Sequence, residues 1–179
     1  MSERKTTQMA NTNKDVLYNS TMLEMKVTLL PSQIGKAVTK ENLRDSIEYF
    51  IGGKCIEEGY VQPQTVDLKT YSSGSLKGDK VEFHVVFECK TYRPAEGTWI
   101  YGCHVKSVTK AGIHANIYDK LNNVPATVFV IRDHLGNKPQ FNDIQENDRI
   151  NIKVIGSRFE LNDPCVEILG DLMPADKKI

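Results

Sequence analysis

The stretch EGTWIYGCHVKSVTKAGIHANIYD, Glu96–Asp119, decides how the second half of this chain folds. Apolar and polar residues alternate along it in two runs hinged at Gly112, the period of strands that bury one face. After the hinge, Ile113, Ala115 and Ile117 fall on one face, and His114, Asn116 and Tyr118 on the other. From Gly97 onward every further segment reads as strand or turn: TWIYGCHVKSV, GIHANIYD, ATVFVIRD, RINIKVIGSRFE and PCVEILGDL. Five short strands opening with a glycine-hinged hairpin predict a small all-β OB barrel over residues 96–173. DHLGNKPQFNDIQEND is the long loop before the fourth strand, ELNDP the tight turn before the fifth. Residues 174–179 read as a frayed tail.

Working back from the hairpin, RPAEG breaks the pattern and marks a domain boundary. Upstream of it, residues 22–95 read as an α+β domain. Its first strand is MLEMKVTLL, closed by Pro31. The helix TKENLRDSIEYFI follows, with Thr39 as cap, Leu43, Ile47, Phe50 and Ile51 on one face, and Gly52–Gly53 as its stop. KCIEEGYVQPQTVDLKTY reads as two short extended segments around Gly59 and Pro63, and SSGSLKGD as a turn-rich loop. Lys80–Tyr92 is a long strand with Val81, Phe83, Val85 and Phe87 on one face. Residues 1–21 are polar, lack periodicity and read as a disordered tail.

Lys+Arg and Asp+Glu both total 23, split 13 and 13 before Gly97 and 10 and 10 from it onward, so any nucleic-acid contact must come from a local patch. No apolar run has the length of a signal peptide core or a bilayer span, so the expected setting is intracellular, without a membrane partner. The four cysteines, Cys55, Cys89, Cys103 and Cys165, lie far apart without a C-x-x-C pair and read as free thiols, mostly in strands. Enzymatic readings do poorly. The histidines His84, His104, His114 and His134 never fall in metal-ligand spacing, and Glu57–Glu58, read as adjacent strand residues, would point to opposite faces. There is no Gly-rich phosphate loop and no nucleophile elbow. The expectation is a non-catalytic protein without cofactor or metal.

Four motifs carry a resemblance: LLPSQIGK (Leu29–Lys36), GGKCIEEGYV (Gly52–Val61), YRPAEGTWI (Tyr92–Ile100) and KVIGSRFELND (Lys153–Asp163). In this order and spacing they resemble the seventh-subunit family of multisubunit RNA polymerases, archaeal members included, which forms the polymerase stalk. The resemblance covers roughly Leu23 to Leu172. It implies a truncated ribonucleoprotein-like domain followed by an OB barrel of the S-one type. It implies a non-catalytic subunit of a DNA-directed RNA polymerase that docks on the core enzyme through its N-terminal domain and touches nascent single-stranded RNA through its barrel. The implied partners are the core polymerase subunits and, in cellular enzymes, a small fourth-subunit stalk partner. The chain departs from the family in three places. SSGSLKGD replaces a Pro-Gly-x-Gly loop, Gly97–Gly112 is one residue longer, and His114 stands where the S-one-type domain usually has phenylalanine. Such drift would fit a divergent member such as one from a large DNA virus. Transcription would then take place in the nucleus, or in the cytoplasm or virion.

Two sets of site residues follow. Glycines and a proline at the ends of the first elements suggest docking loops: Pro31, Gly35, Gly53, Gly59 and the adjoining Tyr60. On the barrel, His114, Asn116 and Tyr118 would form a stacking face for bases, with Lys106, Lys110, Lys120 and Arg132 available to phosphates. The plainer reading is a half-exposed strand with ordinary solvent-facing residues. His104 and Trp99 are weaker candidates for base contact, Trp99 reading rather as a core or domain-interface residue, and Arg158 reads as a brace on Asp163. The rival function is a free-standing single-stranded-RNA-binding adaptor of translation or RNA decay, which would have no reason to carry the two N-terminal motifs.

Overall fold

The structure, a computed structural model, describes residues 17–35, 39–132 and 143–173. The N-terminal part is a six-stranded sheet with one helix, and the C-terminal part a closed five-stranded barrel, as the α+β plus OB-barrel expectation has it. In the sheet, β1 (Asn19–Leu29) runs antiparallel to β6 (Lys80–Tyr92) along its whole length, from Asn19 opposite Thr91 to Leu29 opposite Val81. The other edge of β6 is shared by β3 (Gly59–Val61), β4 (Asp67–Tyr71) and β5 (Ser75–Lys77), and β2 (Cys55–Ile56) pairs with β3. The long strand therefore organises this domain. Phe83, Val85, Phe87 and Cys89 line one side of it and bury against Val27 and Leu29 of β1.

Helix α1 (Thr39–Ile51) covers that side, burying Thr39, Leu43, Ile47 and Ile51, one residue per turn. Here the sequence reading needs correction. Phe50 lies off this stripe and is 56 % exposed. The Thr39 hydroxyl does not cap the helix but clasps Gly35, accepting its N–H at 3.0 Å and donating to its carbonyl at 2.8 Å. SSGSLKGD is no mere loop, because Ser75–Lys77 hairpins onto β6. Glu57 and Glu58 occupy the β2–β3 turn, not a strand. The expected disordered tail through Thr21 is corrected at its end: β1 starts at Asn19, and Leu17 and Tyr18 pack against the barrel core. The remainder of that tail, 1–16, most of the long loop, 133–142, and the tail 174–179 lie outside the described residues, as do Lys36 and His134.

The barrel strands are β7 (Trp99–Val108), β8 (Gly112–Ile117), β9 (Ala126–Ile131), β10 (Arg149–Arg158) and β11 (Val166–Leu172). Their order is β10-β11-β9-β8-β7, closed by β7 on β10, with β9 and β11 parallel. Ile113, Ala115, Val128, Val130, Ile152 and Val154 fill the interior, as alternation predicts. The hinge glycine is needed for close approach: a Cβ at Gly112 would stand 2.2 Å from the Val130 carbonyl oxygen. β7 bulges twice, against β8 between Val105 and Ser107 and against β10 around Gly102, and each bulge holds one residue more than its partner strand.

The two parts share a seam. Cys55, Tyr60 and Tyr92 belong to the barrel's apolar cluster, although they come from the sheet. Cys55 donates its N–H to the Asp163 carbonyl and accepts that of Asn162, both at 2.8 Å. Burial pushes the Cys55 thiol and the Tyr60 hydroxyl each up to about 12, as expected of interior groups. The Arg93 guanidinium lies over the Phe159 ring at 5.5 Å and donates to the Glu57 carbonyl at 3.1 Å. Three of the four cysteines are buried strand residues and all four are free thiols.

Candidate nucleic-acid interface

β8 is a central strand of the barrel wall, between β7 and β9, so its outward residues have neighbours on both sides. His114 is exposed, while Asn116 and Tyr118 are half-buried on the same outer face. Opposite His114 in register stands Phe129 of β9, its ring centroid 4.5 Å from the imidazole. An aromatic ring thus stands beside His114, supplied by the next strand. Alternation along ATVFVIRD marks Phe129 as outward, but the pairing that sets it beside His114 is non-local. On the β7 side, His104 faces Asn116 and meets the Tyr118 ring edge-on at 5.3 Å. Asn116 donates a longer bond of 3.4 Å to the Tyr118 hydroxyl oxygen. Phe129, His114, Asn116, Tyr118 and His104 form one patch of flat and hydrogen-bonding side chains across three strands. Such a surface can stack bases and read their edges.

The cations are distributed unevenly about it. Lys106 sits exposed at the β7 bulge, beside Ser107, which is opposite His114. Lys110 lies in the β7–β8 turn, and Arg132 follows β9 at the same end, its N–H bonded to the Ala111 carbonyl at 3.1 Å. Lys120 is in the turn beyond the other end of β8, so β8, about 17 Å long, separates it from Lys110. Lys106, Lys110 and Arg132 therefore gather at the His114 end, and Lys120 does not join them.

Asp119 does something else again. Its carboxylate accepts the Tyr18 hydroxyl at 3.0 Å, the Gln62 amide at 3.2 Å, the Asn123 amide at 2.9 Å, and the Leu121 and Asn123 N–H groups at 2.8 Å. Burial pushes its pKa up, but the bonds from Asn123, Tyr18 and Leu121 outweigh that and hold it below the usual aspartate value. Burial and this carboxylate raise the Tyr18 hydroxyl in turn. Asp119 therefore ties the barrel to Tyr18, just before β1, and to Gln62, in the β3–β4 turn.

The docking set separates. Pro31 is exposed and Gly35 half-buried, at the Leu29 end of β1, which pairs with Val81. Gly59 and Tyr60 lie at the Tyr92 end of β6, roughly 36 Å away by strand rise. Tyr60 is 3 % exposed and Gly59 is buried with φ +114, so neither is a free surface, and both belong to the seam. Gly53, with φ +71, sits at the end of α1 and bonds to the Val61 carbonyl at 3.0 Å. Two further readings fail. Trp99 is 46 % exposed, its ring stacked near-parallel to that of Tyr101 and not in the core. Arg158 pairs with Glu167 across the β10–β11 ladder at 2.9 Å, while Asp163 closes its own turn by accepting the Glu160 N–H.

No protein-family model matches the chain. It is 27 % identical over 168 residues to a protein of Acanthamoeba polyphaga mimivirus provisionally named as a DNA-directed RNA polymerase subunit, covering 88 % of this chain and 82 % of that one. The aligned length is enough to take in both the sheet and the barrel. The chain is a distant homologue of that viral protein, which supports, at the level of an RNA polymerase subunit, the family its four motifs resemble.

Proposed function

We propose that this chain is a non-catalytic, stalk-type subunit of a multisubunit DNA-directed RNA polymerase, docked by its sheet domain and touching the emerging transcript with its barrel. The observation that carries this reading is the likeness to the mimivirus protein over 88 % of the chain, joined to a sheet-plus-barrel architecture. Docking falls to the far tip of the sheet, since Gly59 and Tyr60 are committed to the seam. There Leu30 and Ile34 are 45 % and 38 % exposed around the turn Pro31–Gln33, which Gln33 rigidifies by accepting the Leu30 N–H at 2.9 Å. The barrel then stands at the opposite end, free to meet RNA.

The test is affinity purification of the tagged full-length chain from the cells in which it is expressed with its polymerase. Large polymerase subunits co-purify with the unmodified chain, and Leu30→Asp with Ile34→Asp abolishes this while leaving the protein folded. Capture of ribosomes or an RNA-decay assembly instead of large polymerase subunits would establish the adaptor function.

A further inference from the structure

The barrel carries a second aromatic and basic surface one strand further round from His114. Closure sets β7 beside β10, and the outward residues of these strands face solvent together. Trp99 and Tyr101 project from β7, 46 % and 48 % exposed, their ring planes within 25° of each other and their centroids 6.4 Å apart. Lys153 of β10 lies directly opposite Trp99 in register, and Arg149 opposite His104, all exposed or half-exposed. Neither WIYGCHVKSV nor RINIKVIGSR contains an aspartate or a glutamate, in a chain whose charges balance overall. From the neighbouring strand β11, Glu167 is taken up by Arg158 and Asp171 stands opposite Lys153. The two rings lie together as one exposed aromatic patch, not scattered singly, with cations in register beside them. Flanked by cations, they suit a partner that offers flat apolar faces on an anionic thread.

We infer that Trp99 and Tyr101 stack bases of single-stranded RNA, with Arg149 and Lys153 meeting its phosphates. This site extends the His114 patch across β7 onto β10 and rests on the RNA-contacting role proposed for the barrel. The faces of the rings are sequence-tolerant, so this end of the track grips RNA without reading it. His104 joins the two patches, since it touches Tyr118 on one side and faces Arg149 on the other.

The chain contains a single tryptophan, so Trp99 emission reports this site alone. The experiment titrates the full chain with a twelve-nucleotide oligouridylate while following Trp99 fluorescence, and measures affinity separately by anisotropy of labelled RNA. Saturable quenching is expected, weakened by salt and lost in the double variant Arg149→Glu, Lys153→Glu. Trp99→Ala weakens binding between about 5-fold and 150-fold, the range for one stacked base, and Trp99→Phe largely restores it. His114→Ala weakens binding but leaves the quenching of the bound complex in place. RNA binding with unaltered Trp99 emission, unaffected by Trp99→Ala but weakened by His114→Ala, would overturn this site and leave the barrel's RNA role intact. Absence of RNA binding by the unmodified chain would overturn both. If Trp99→Ala abolished capture of the polymerase without changing RNA affinity, the surface would be a protein contact and the inference would fail.

Discussion

On the N-terminal sheet, the two outward glutamates of β6 meet lysines of the neighbouring strands β4 and β5. Lys69 bridges Asp67 and Glu88 at 2.7 and 2.6 Å, Lys77 reaches Glu82 at 2.8 Å, and His84 lies 4.0 Å from Glu82. Hydrogen bonds from these lysines hold Glu82 and Glu88 below the usual glutamate value. On the barrel, the outward residues of β7 and β8 include Trp99, Tyr101, His104, Lys106, His114 and Asn116, with no carboxylate among them, and Tyr118 follows just past β8. Both faces obey the same two-residue alternation, and both are exposed. Exposure alone therefore does not tell the two faces apart; the chemistry each presents to solvent does. The sheet face pairs both glutamates of β6 with its own lysines, while the barrel face presents rings and cations, the surface proposed above to meet an anionic, base-bearing partner.

The proposed contrast between a docking end and an RNA-facing end requires the two parts to form one body, so the largest effect should come from breaking the seam. Gly59 has φ +114, and a Cβ there would stand 2.4 Å from the Tyr92 carbonyl oxygen. Gly59→Ala should therefore cost about 3 kcal/mol or more, read as the drop in urea unfolding midpoint. A change below about 1 kcal/mol would show that the seam yields freely.

Asp119→Ala comes next. Stripping the Tyr18 and Gln62 bonds should cost about 2–3 kcal/mol and lower the melting temperature by roughly 5–10 °C. Because the folded pKa of Asp119 lies below its unfolded value of 3.8, its contribution is fully present above that value and is lost as pH falls through the folded pKa. The unmodified chain should therefore lose stability below about pH 4 more steeply than Asp119→Asn. Parallel acid curves would remove the carboxylate from the seam's support.

His114→Ala is expected to weaken oligouridylate binding by about 1–3 kcal/mol, and His114→Phe to retain most of it, because an aromatic face beside Phe129 is what stacks. Neither should move the melting temperature far, since His114 is exposed. With about two to four phosphates neutralised, log K should fall against log salt with a slope of roughly −1.5 to −3. A far steeper slope, or preference for duplex DNA, would argue against a transcript-contacting barrel.

The smallest effect sharpens the contrast from the other side. Lys77→Ala removes an exposed sheet-face partner and should leave the urea unfolding midpoint nearly unchanged. It should leave oligouridylate affinity within twofold, and a larger loss would mean that the sheet face also meets RNA.

What the sequence determined by itself lies in its local periods. The alternation of Val81, Phe83, Val85 and Phe87 specifies one buried face of β6, and that of Ile113, Ala115 and Ile117 one buried face of β8. Five segments after RPAEG specify a barrel, and four spaced motifs point to the polymerase subunit relationship. Local period also fails in identifiable places. Phe50 fits a helical apolar stripe in a list of residues, yet Thr39, Leu43, Ile47 and Ile51 take the packed line. Trp99 reads as core or interface, yet the bulge around Gly102 shifts the alternation of β7 and turns it outward with Tyr101.

Only the tertiary structure decided which strands lie side by side, and the candidate site depends on that. Pairing of β8 with β9 brings Phe129 to His114, and closure of β7 on β10 brings Lys153 to Trp99. The run of β6 places Gly59 and Tyr60 at the barrel and Pro31 at the far tip, dividing residues that are near in sequence. Asp119 reaches Tyr18 across 101 positions. A strand's period says which side of it faces water, because that depends on its own backbone. Register and neighbour choice depend on burial shared between segments far apart in sequence, which no local pattern contains.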